Sequence, residues 1–431
     1  MLFSNVFLAS VAAAGVVHMP LSEREYSDEQ YSNHLAARGI LHGTQKKGAR
    51  YYEAELEVGT PSQKVRACFD TGSPFLWLKG ANSSECLAHK NCDSSFNVSQ
   101  SSTWRYQSHG LDAWNGEGNW GTETVSYVGV QFEEFDTWVS TGITAFALSI
   151  FGQRNDENPK KSFVHALANA GKISRTVFSL NAQKPVNYLD QTTEGVVNNV
   201  YYGGFDRAKY QGALTSVKCD SAYKMPIGAF SIQGSKIATR PYSTILDSGT
   251  DLLQLPNSTV EAVSKKFGGN GDYEDGKWKV ACDSRPEISY EWGDTSIAVD
   301  LSAYVTSSNG NCHLEKLMVM SDDTADLLTG TPLISRALVI YDSARELVTV
   351  AQARYTDESD VVEITGDIPG AVLFADSQSS ASTTASKTQS TTLAVQTASA
   401  TQTSSSAPQQ TSEAPASDPF SGLCGLIGLE C

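Results

Sequence analysis

Where the chain first becomes rich in large side chains, apolar and polar residues alternate. In YYEAELEVGTP, Ala54, Leu56 and Val58 alternate with Glu53, Glu55 and Glu57, which predicts a strand with one wet face, and Gly59 and Pro61 then turn the chain. Most of the sequence from there to about residue 360 reads as short apolar runs separated by Gly, Asn, Asp and Ser. That pattern predicts a mostly β architecture. Two stretches have helical period instead. In SFVHALANAGKI (Ser162 to Ile173), Phe163, Leu167 and Ala170 share a face, Ser162 is placed to cap and Gly171 to terminate. In STVEAVSKKFGG (Ser258 to Gly269) the face is Val260, Val263 and Phe267.

The two ends break this pattern. MLFSNVFLASVAAAG is a short apolar run ending in small residues, so residues 1–14 are expected to be a secretory signal peptide. A polar stretch follows, and residues 15–50 are expected to form a short prosegment with a dibasic processing point after Lys47, at Lys46 and Lys47. Residues 361–431 are expected to be a Ser/Thr-rich disordered stalk with a Cys-containing tip, because Ser, Thr, Ala and Gln dominate from Asp376 to Asp418 and offer little to bury. The closing FSGLCGLIGLEC faintly resembles a lipid-anchor signal, which leaves attachment to membrane or cell wall open.

The length of 431 residues exceeds what one core normally serves and predicts two lobes, 51–195 and 196–360. The chain holds 48 acidic and 32 basic residues, for a net charge of -16, which argues against nucleic acid and anionic membrane as partners. Eight cysteines, read with secretion, become disulfide candidates. Cys86 with Cys92 closes a small loop, Cys282 with Cys312 a longer one, and Cys424 with Cys431 the tip; Cys68 and Cys219 remain. No Cys or His spacing suggests a metal site, and no cofactor is expected. Sequons at Asn82, Asn97 and Asn257 fit a secretory route.

The chemistry lies in an internal repeat. CFDTGSPFLWL (Cys68 to Leu78) and TILDSGTDLLQL (Thr244 to Leu255) each place an Asp after apolar residues and before a hydroxyl, a Gly and a second hydroxyl. Asp70 is followed by Thr71, Gly72 and Ser73, and Asp247 by Ser248, Gly249 and Thr250. Two related half-sequences suggest two lobes meeting face to face. The glycines are expected to permit a tight turn at φ > 0 and close approach of the opposite backbone, and the hydroxyls to lock the carboxylates and cross-link the turns. Two carboxyls at hydrogen-bond distance do not both ionise readily, so one site holds an acid and a base.

On these motifs the chain resembles the pepsin-like aspartic endopeptidases, most closely the secreted fungal members, over roughly Tyr51 to Ala353. YYGGFDRAKYQGAL (Tyr201 to Leu214) and LLTGTPLISRALVIYD (Leu327 to Asp342) extend the match. The resemblance implies a bilobal β fold with a cleft between lobes, Asp70 and Asp247 as the catalytic pair, polypeptide substrates, a monomer and an acidic optimum.

Some residues depart from the family pattern. Trp77 stands where the partner of the flap tyrosine belongs, but the flap region DAWNGEGNWGTETV offers Trp114 in that tyrosine's place, so either Tyr106 substitutes or stacking holds the flap. Ser149 falls where the family has Gly. Asp251 is either a substrate-facing carboxylate that favours basic side chains or a solvated loop charge. These departures keep open a second reading, a catalytically weak relative that binds peptides or wall components through its cleft.

Overall fold

A computed structural model of the chain describes residues 28–47, 51–89, 92–112, 116–142, 149–154, 162–186, 195–237, 240–274 and 276–375. The expected signal peptide, Trp114, Cys424, Cys431 and the Ser/Thr-rich run from residue 376 lie outside the described residues.

Helix α1 (Asp28–Ala36) leads into β1 (Leu41–Lys47), β2 (Tyr52–Val58) and β3 (Gln63–Asp70). After the first Asp turn come β4 (Leu76–Leu78), a hairpin of β5 (Arg105–Asp112) and β6 (Gly116–Tyr127), then β7 (Val130–Ser140) and β8 (Ser149–Gly152). β9 (Val177–Ala182), β10 (Val197–Tyr202), β11 (Gly204–Asp206) and β12 (Tyr210–Lys218) carry the chain into the second lobe. One 14-stranded sheet joins the two halves. It runs from strand Ala371–Leu373 through β12, Leu347–Ala353, Ala337–Asp342, β9, β10, β1, β2, β3, β8, β4 and β7 to the β6–β5 hairpin. The fold is the mostly β, bilobal one expected.

The period-two reading of β2 holds residue by residue. Ala54, Leu56 and Val58 are fully buried, while Glu55 and Glu57 face solvent. The helices also form, Phe163–Asn169 and Asn257–Lys266, and bury Phe163 and Leu167 of the first expected face and Val260, Val263 and Phe267 of the second; Ala170 follows the first helix and is exposed. Gly171 and Gly268 follow them at φ of 64° and 82°, the left-handed geometry that ends a helix cheaply only at glycine. Ser162 differs from expectation: it precedes its helix in extended conformation, but its hydroxyl caps nothing.

The described residues bear on two expected boundaries. Residues 361–375 belong to the folded body instead of the stalk, because Val361, Ile364 and Ile368 are apolar and buried, the last two in a cluster with Phe205, Leu214, Leu338 and Ile340. Val361–Glu363 pairs with β11, Ala371–Leu373 pairs in parallel with β12, and Phe374 N–H donates to the Ser216 carbonyl (2.8 Å). At the other end, β1 lies inside the stretch expected to be prosegment, yet it pairs with both β10 and β2. Cys86 is bonded to Cys92 and Cys282 to Cys312; Cys68 and Cys219 are not bonded to any described cysteine.

Beneath the shared sheet, Arg175 forms an ion pair with Asp342, whose side chain is fully buried. Burial pushes the Asp342 carboxyl above its ordinary range, against the pull of Arg175 and Arg345. A carboxyl whose folded pKa exceeds the unfolded value of about 3.9 contributes fully below that pH and loses its contribution as pH rises through the folded value. Arg175→Gln therefore costs about 3–5 kcal/mol at neutral pH by stranding a buried charge. Thermal melts from pH 7 down to pH 4 should show that deficit shrinking; a variant as stable as the parent at pH 7 contradicts this account.

Candidate active site

Asp70 ends β3 and Asp247 follows strand Tyr242–Leu246, so each carboxyl leaves the end of a buried strand as the chain turns. Asp70 is buried at 7% exposure and Asp247 is partly exposed. Each accepts a hydrogen bond from the glycine N–H of its own turn, Gly72 to Asp70 Oδ1 (2.7 Å) and Gly249 to Asp247 Oδ1 (2.8 Å). Here the symmetry breaks. Ser73 Oγ donates to Asp70 Oδ2, whereas Thr250 Oγ1 accepts from Leu252 N–H.

The turns are clasped to each other by a reciprocal set of bonds. Thr71 Oγ1 donates to the Leu246 carbonyl (2.9 Å) and accepts from Ser248 N–H (2.9 Å). In mirrored fashion, Ser248 Oγ donates to the Phe69 carbonyl (2.7 Å) and accepts from Thr71 N–H (3.1 Å). The glycines complete the crossing. A β-carbon on Gly72 would lie 2.6 Å from Asp247 Cγ, and one on Gly249 would lie 2.3 Å from Asp70 Cγ. Neither glycine has positive φ, contrary to expectation; the space of the opposite carboxyl, not the backbone angle, demands glycine here.

A second layer holds each turn from outside. β8 runs parallel to β3 with Gly152 opposite Asp70, and strand Asp326–Thr329 runs parallel to Tyr242–Leu246 with Thr329 opposite Leu246, which brings Gly330 level with Asp247. A β-carbon on Gly152 would fall 2.5 Å from the Ser73 carbonyl oxygen, and one on Gly330 would fall 2.2 Å from that of Thr250. Gly152 thus takes the close-approach position that the sequence seemed to give to Ser149. Ser149 lies three residues earlier, where its Oγ accepts from Lys79 N–H (3.0 Å). Sequence reasoning also missed Tyr341, whose hydroxyl donates to the Leu246 carbonyl (2.8 Å) while its ring stacks on Phe178 at 4.9 Å. Its only signal was the quoted LVIYD.

Electrostatically the pair behaves as one unit. Although Asp247 keeps some exposure, protein surrounds most of it, and its pKa is pushed well above the ordinary carboxyl range by burial first, then by the charge of Asp70 and by their mutual hydrogen bond. The Gly249 and Gly72 N–H groups pull the other way. Two carboxyls so coupled do not both ionise readily, so the pair tends to hold one proton between them. Burial, followed by the same two carboxyls, pushes the neighbouring Cys68 thiol well up, so it packs as a neutral apolar group.

The hairpin contact is aromatic. Trp77 is 1% exposed, and its indole N–H has no acceptor among the described residues. It packs with Trp138, Ile150, Phe75 and Trp120. Trp120, on β6, meets Phe75 of the Asp70 turn edge to face at 4.9 Å and Trp138 of β7 at 5.3 Å. Tyr106 is 60% exposed on β5 and makes no latch, so of the two alternatives stacking is the one the described residues adopt.

The remaining candidates fall as follows. Asp251 is 1% exposed, so it is not a solvated loop charge. Asn82 is exposed, whereas Asn97 Oδ1 accepts from Ser99 N–H and Asn257 Oδ1 from the Trp278 indole. Among the described residues, no three His, Cys, Asp or Glu side chains converge as a metal site.

The family model described as eukaryotic aspartyl protease matches residues 51–353. Similar curated proteins include the aspartic proteinase yapsin-3 of Saccharomyces cerevisiae, 26% identical over 75% of this chain and 70% of the relative. Rhizopuspepsin-3 of Rhizopus niveus is 30% identical over 60% of this chain and 68% of its own. Secreted aspartic protease 10 of Candida albicans is 23% identical over 78% and 80%.

The reciprocal clasp predicts coupled energetics. Thr71→Val leaves the buried Ser248 N–H unpaired and costs about 1–3 kcal/mol, and Ser248→Ala a similar amount. Because both act in one network, the double variant in urea denaturation should lose less than the sum; strict additivity argues against the clasp.

Proposed function

The chain belongs to the eukaryotic aspartyl protease family and is an aspartic-type endopeptidase, and we propose that it is a secreted enzyme that hydrolyses polypeptides in acid with water activated between Asp70 and Asp247. The observation that carries this reading is the crossing of the two turns, which presses each carboxyl against the opposite glycine. A merely structural aspartate bonded to its own turn has no need of a second one so placed.

In this reading the shared proton starts on Asp247, the carboxyl that burial and its neighbour push up. With Asp247 protonated, ionised Asp70 takes a proton from a water held between the carboxyls, and the water oxygen attacks the scissile carbonyl carbon. Asp247 gives its proton to the carbonyl oxygen, forming a neutral diol. On collapse, Asp70 passes its proton to the departing nitrogen while Asp247 recovers one from a diol hydroxyl, and the starting state returns. This proton sharing is general to aspartic-protease dyads and not peculiar to this chain. The substrate lies extended beneath the β5–β6 hairpin, bound partly through its backbone. Trp120 fixes the hairpin's height above Asp70 through its two aromatic contacts.

Secretion is supported by the signal-like residues 1–14, by two disulfides, and by a relative whose name is Secreted aspartic protease 10. No helix among the described residues is long and apolar enough to cross a membrane. The enzyme acts as a monomer, with the Ser/Thr-rich tail from residue 376 serving as a stalk.

A mixed peptide library incubated with processed protein from pH 3 to 7 tests the mechanism. Cleavage should fall as pH rises through the elevated pKa of Asp247, where the proton is lost, and fall again in stronger acid, where the pair holds two. Asp70→Asn and Asp247→Asn should each abolish cleavage, and a chelator should leave it unchanged. Residual activity in either variant, or inhibition by chelator, overturns the mechanism. Trp120→Leu should lower kcat/KM on the order of tenfold while Trp120→Phe recovers most of it, since two edge-to-face contacts are at stake. Equal loss in both variants removes stacking as the cause.

A further inference from the structure

We propose that β1 remains in the working enzyme and that the chain is cut upstream of it, at the Arg38–Gly39 bond, instead of after Lys47. β1 is the hydrogen-bonded joint between the strands of the two halves. It pairs with β10 from Leu41↔Tyr202 to Lys46↔Val197, and with β2 at Lys46↔Glu53 and Lys47↔Tyr52. One of its side chains ties β10 to β6. Gln45, fully buried, accepts from Asn198 Nδ2 (2.8 Å) and donates to the Tyr127 hydroxyl (3.3 Å) at the end of β6. Losing β1 would strip the facing edges of β10 and β2 and strand these buried polar groups.

The dibasic pair is also badly placed for cleavage. A protease needs several consecutive residues free to extend in its own cleft. Lys47 is 3% exposed, its N–H donates to the Val196 carbonyl (2.9 Å) and its carbonyl accepts from Gly195 N–H (2.7 Å).

The turn between α1 and β1 offers what Lys47 does not. Ala36, Ala37 and Arg38 are exposed, and the backbone bonds there are local, Arg38 N–H and Ile40 N–H to Leu35 and Gly39 N–H to Ala36. Ile40, the next residue but one, is fully buried, so Arg38–Gly39 is the last accessible bond before the sheet and it follows a basic residue. The new terminus would be received. A β-carbon on Gly39 would lie 3.1 Å from Glu363 Oε1, so that carboxylate stands beside the α-carbon of Gly39. Water adding across the bond leaves a carboxylate on Arg38 and an ammonium on Gly39, opposite in charge to Glu363. α1 inserts Leu35 among Ile40, Tyr201 and Val361, and Arg38 Nη2 donates to the Val361 carbonyl (2.9 Å).

The test reads termini and melting, not catalysis, so it stands apart from the dyad reading. The full chain is expressed in a secreting host, and the N-terminus of the secreted protein is determined by mass spectrometry. We expect Gly39, the same terminus for Lys46→Gln/Lys47→Gln, and loss of that terminus in Arg38→Gln. Glu363→Gln should lower the melting temperature of the processed chain and not that of uncut Arg38→Gln. A terminus at Gly48 or beyond overturns both the retained strand and the site; a terminus elsewhere, or one abolished by the lysine substitutions, overturns the site.

Discussion

Everything in this molecule that bears on chemistry depends on one steric fact: each aspartate turn leaves room for the other's carboxyl only where a side chain is missing. A β-carbon on Gly72 would overlap the Asp247 carboxyl, and one on Gly249 would overlap that of Asp70. Packing two carboxyls this closely is unfavourable in itself. The clasp of Thr71 and Ser248, the glycines at 152 and 330 behind the turns, and a sheet continuous from one half to the other all act to keep the pair from separating. Proton sharing is then the cheapest response open to the pair, and the same response makes it useful.

The near-twofold symmetry of this arrangement is broken where function benefits. Ser73 supports Asp70 with a hydroxyl hydrogen, whereas Thr250 turns its oxygen toward Leu252 N–H. A perfectly symmetric pair has no preferred owner for the proton. The unequal turns make the two carboxyls inequivalent through the orientation of one hydroxyl, and in the proposed mechanism that inequivalence separates acid from base.

Much of this was legible in the sequence because it depends on short-range identity. The doubled Asp-hydroxyl-Gly-hydroxyl motif, the alternation in β2 and the two helices are local signals, and each corresponds to an element in the structure. What could not be read depends on register or on partners distant in the chain. Gly152 and Ser149 sit on the same strand, and only its pairing with β3 shows which of them faces the Asp70 turn. The role of Tyr341 rests on a carbonyl ninety-five positions away. Composition separated body from tail too early, because a few isolated apolar residues, Val361, Ile364 and Ile368, are enough to fasten a polar segment to an existing surface.

That fastening has a mechanical side. Strand Ala371–Leu373 lies parallel to β12, and the Phe374 ring rests against the space over Gly228, where a β-carbon would come within 2.9 Å of it. Tension applied through the residues that follow is therefore met first by a short strand and an aromatic plug at the margin of the sheet. The Asp70 turn lies many strands inward from that margin, and Asp247 follows a strand of a separate three-stranded sheet. Peeling of this margin leaves the β3–β8 pairing beside Asp70 intact, so the last residues of the folded body can yield without disturbing the first carboxyl's register.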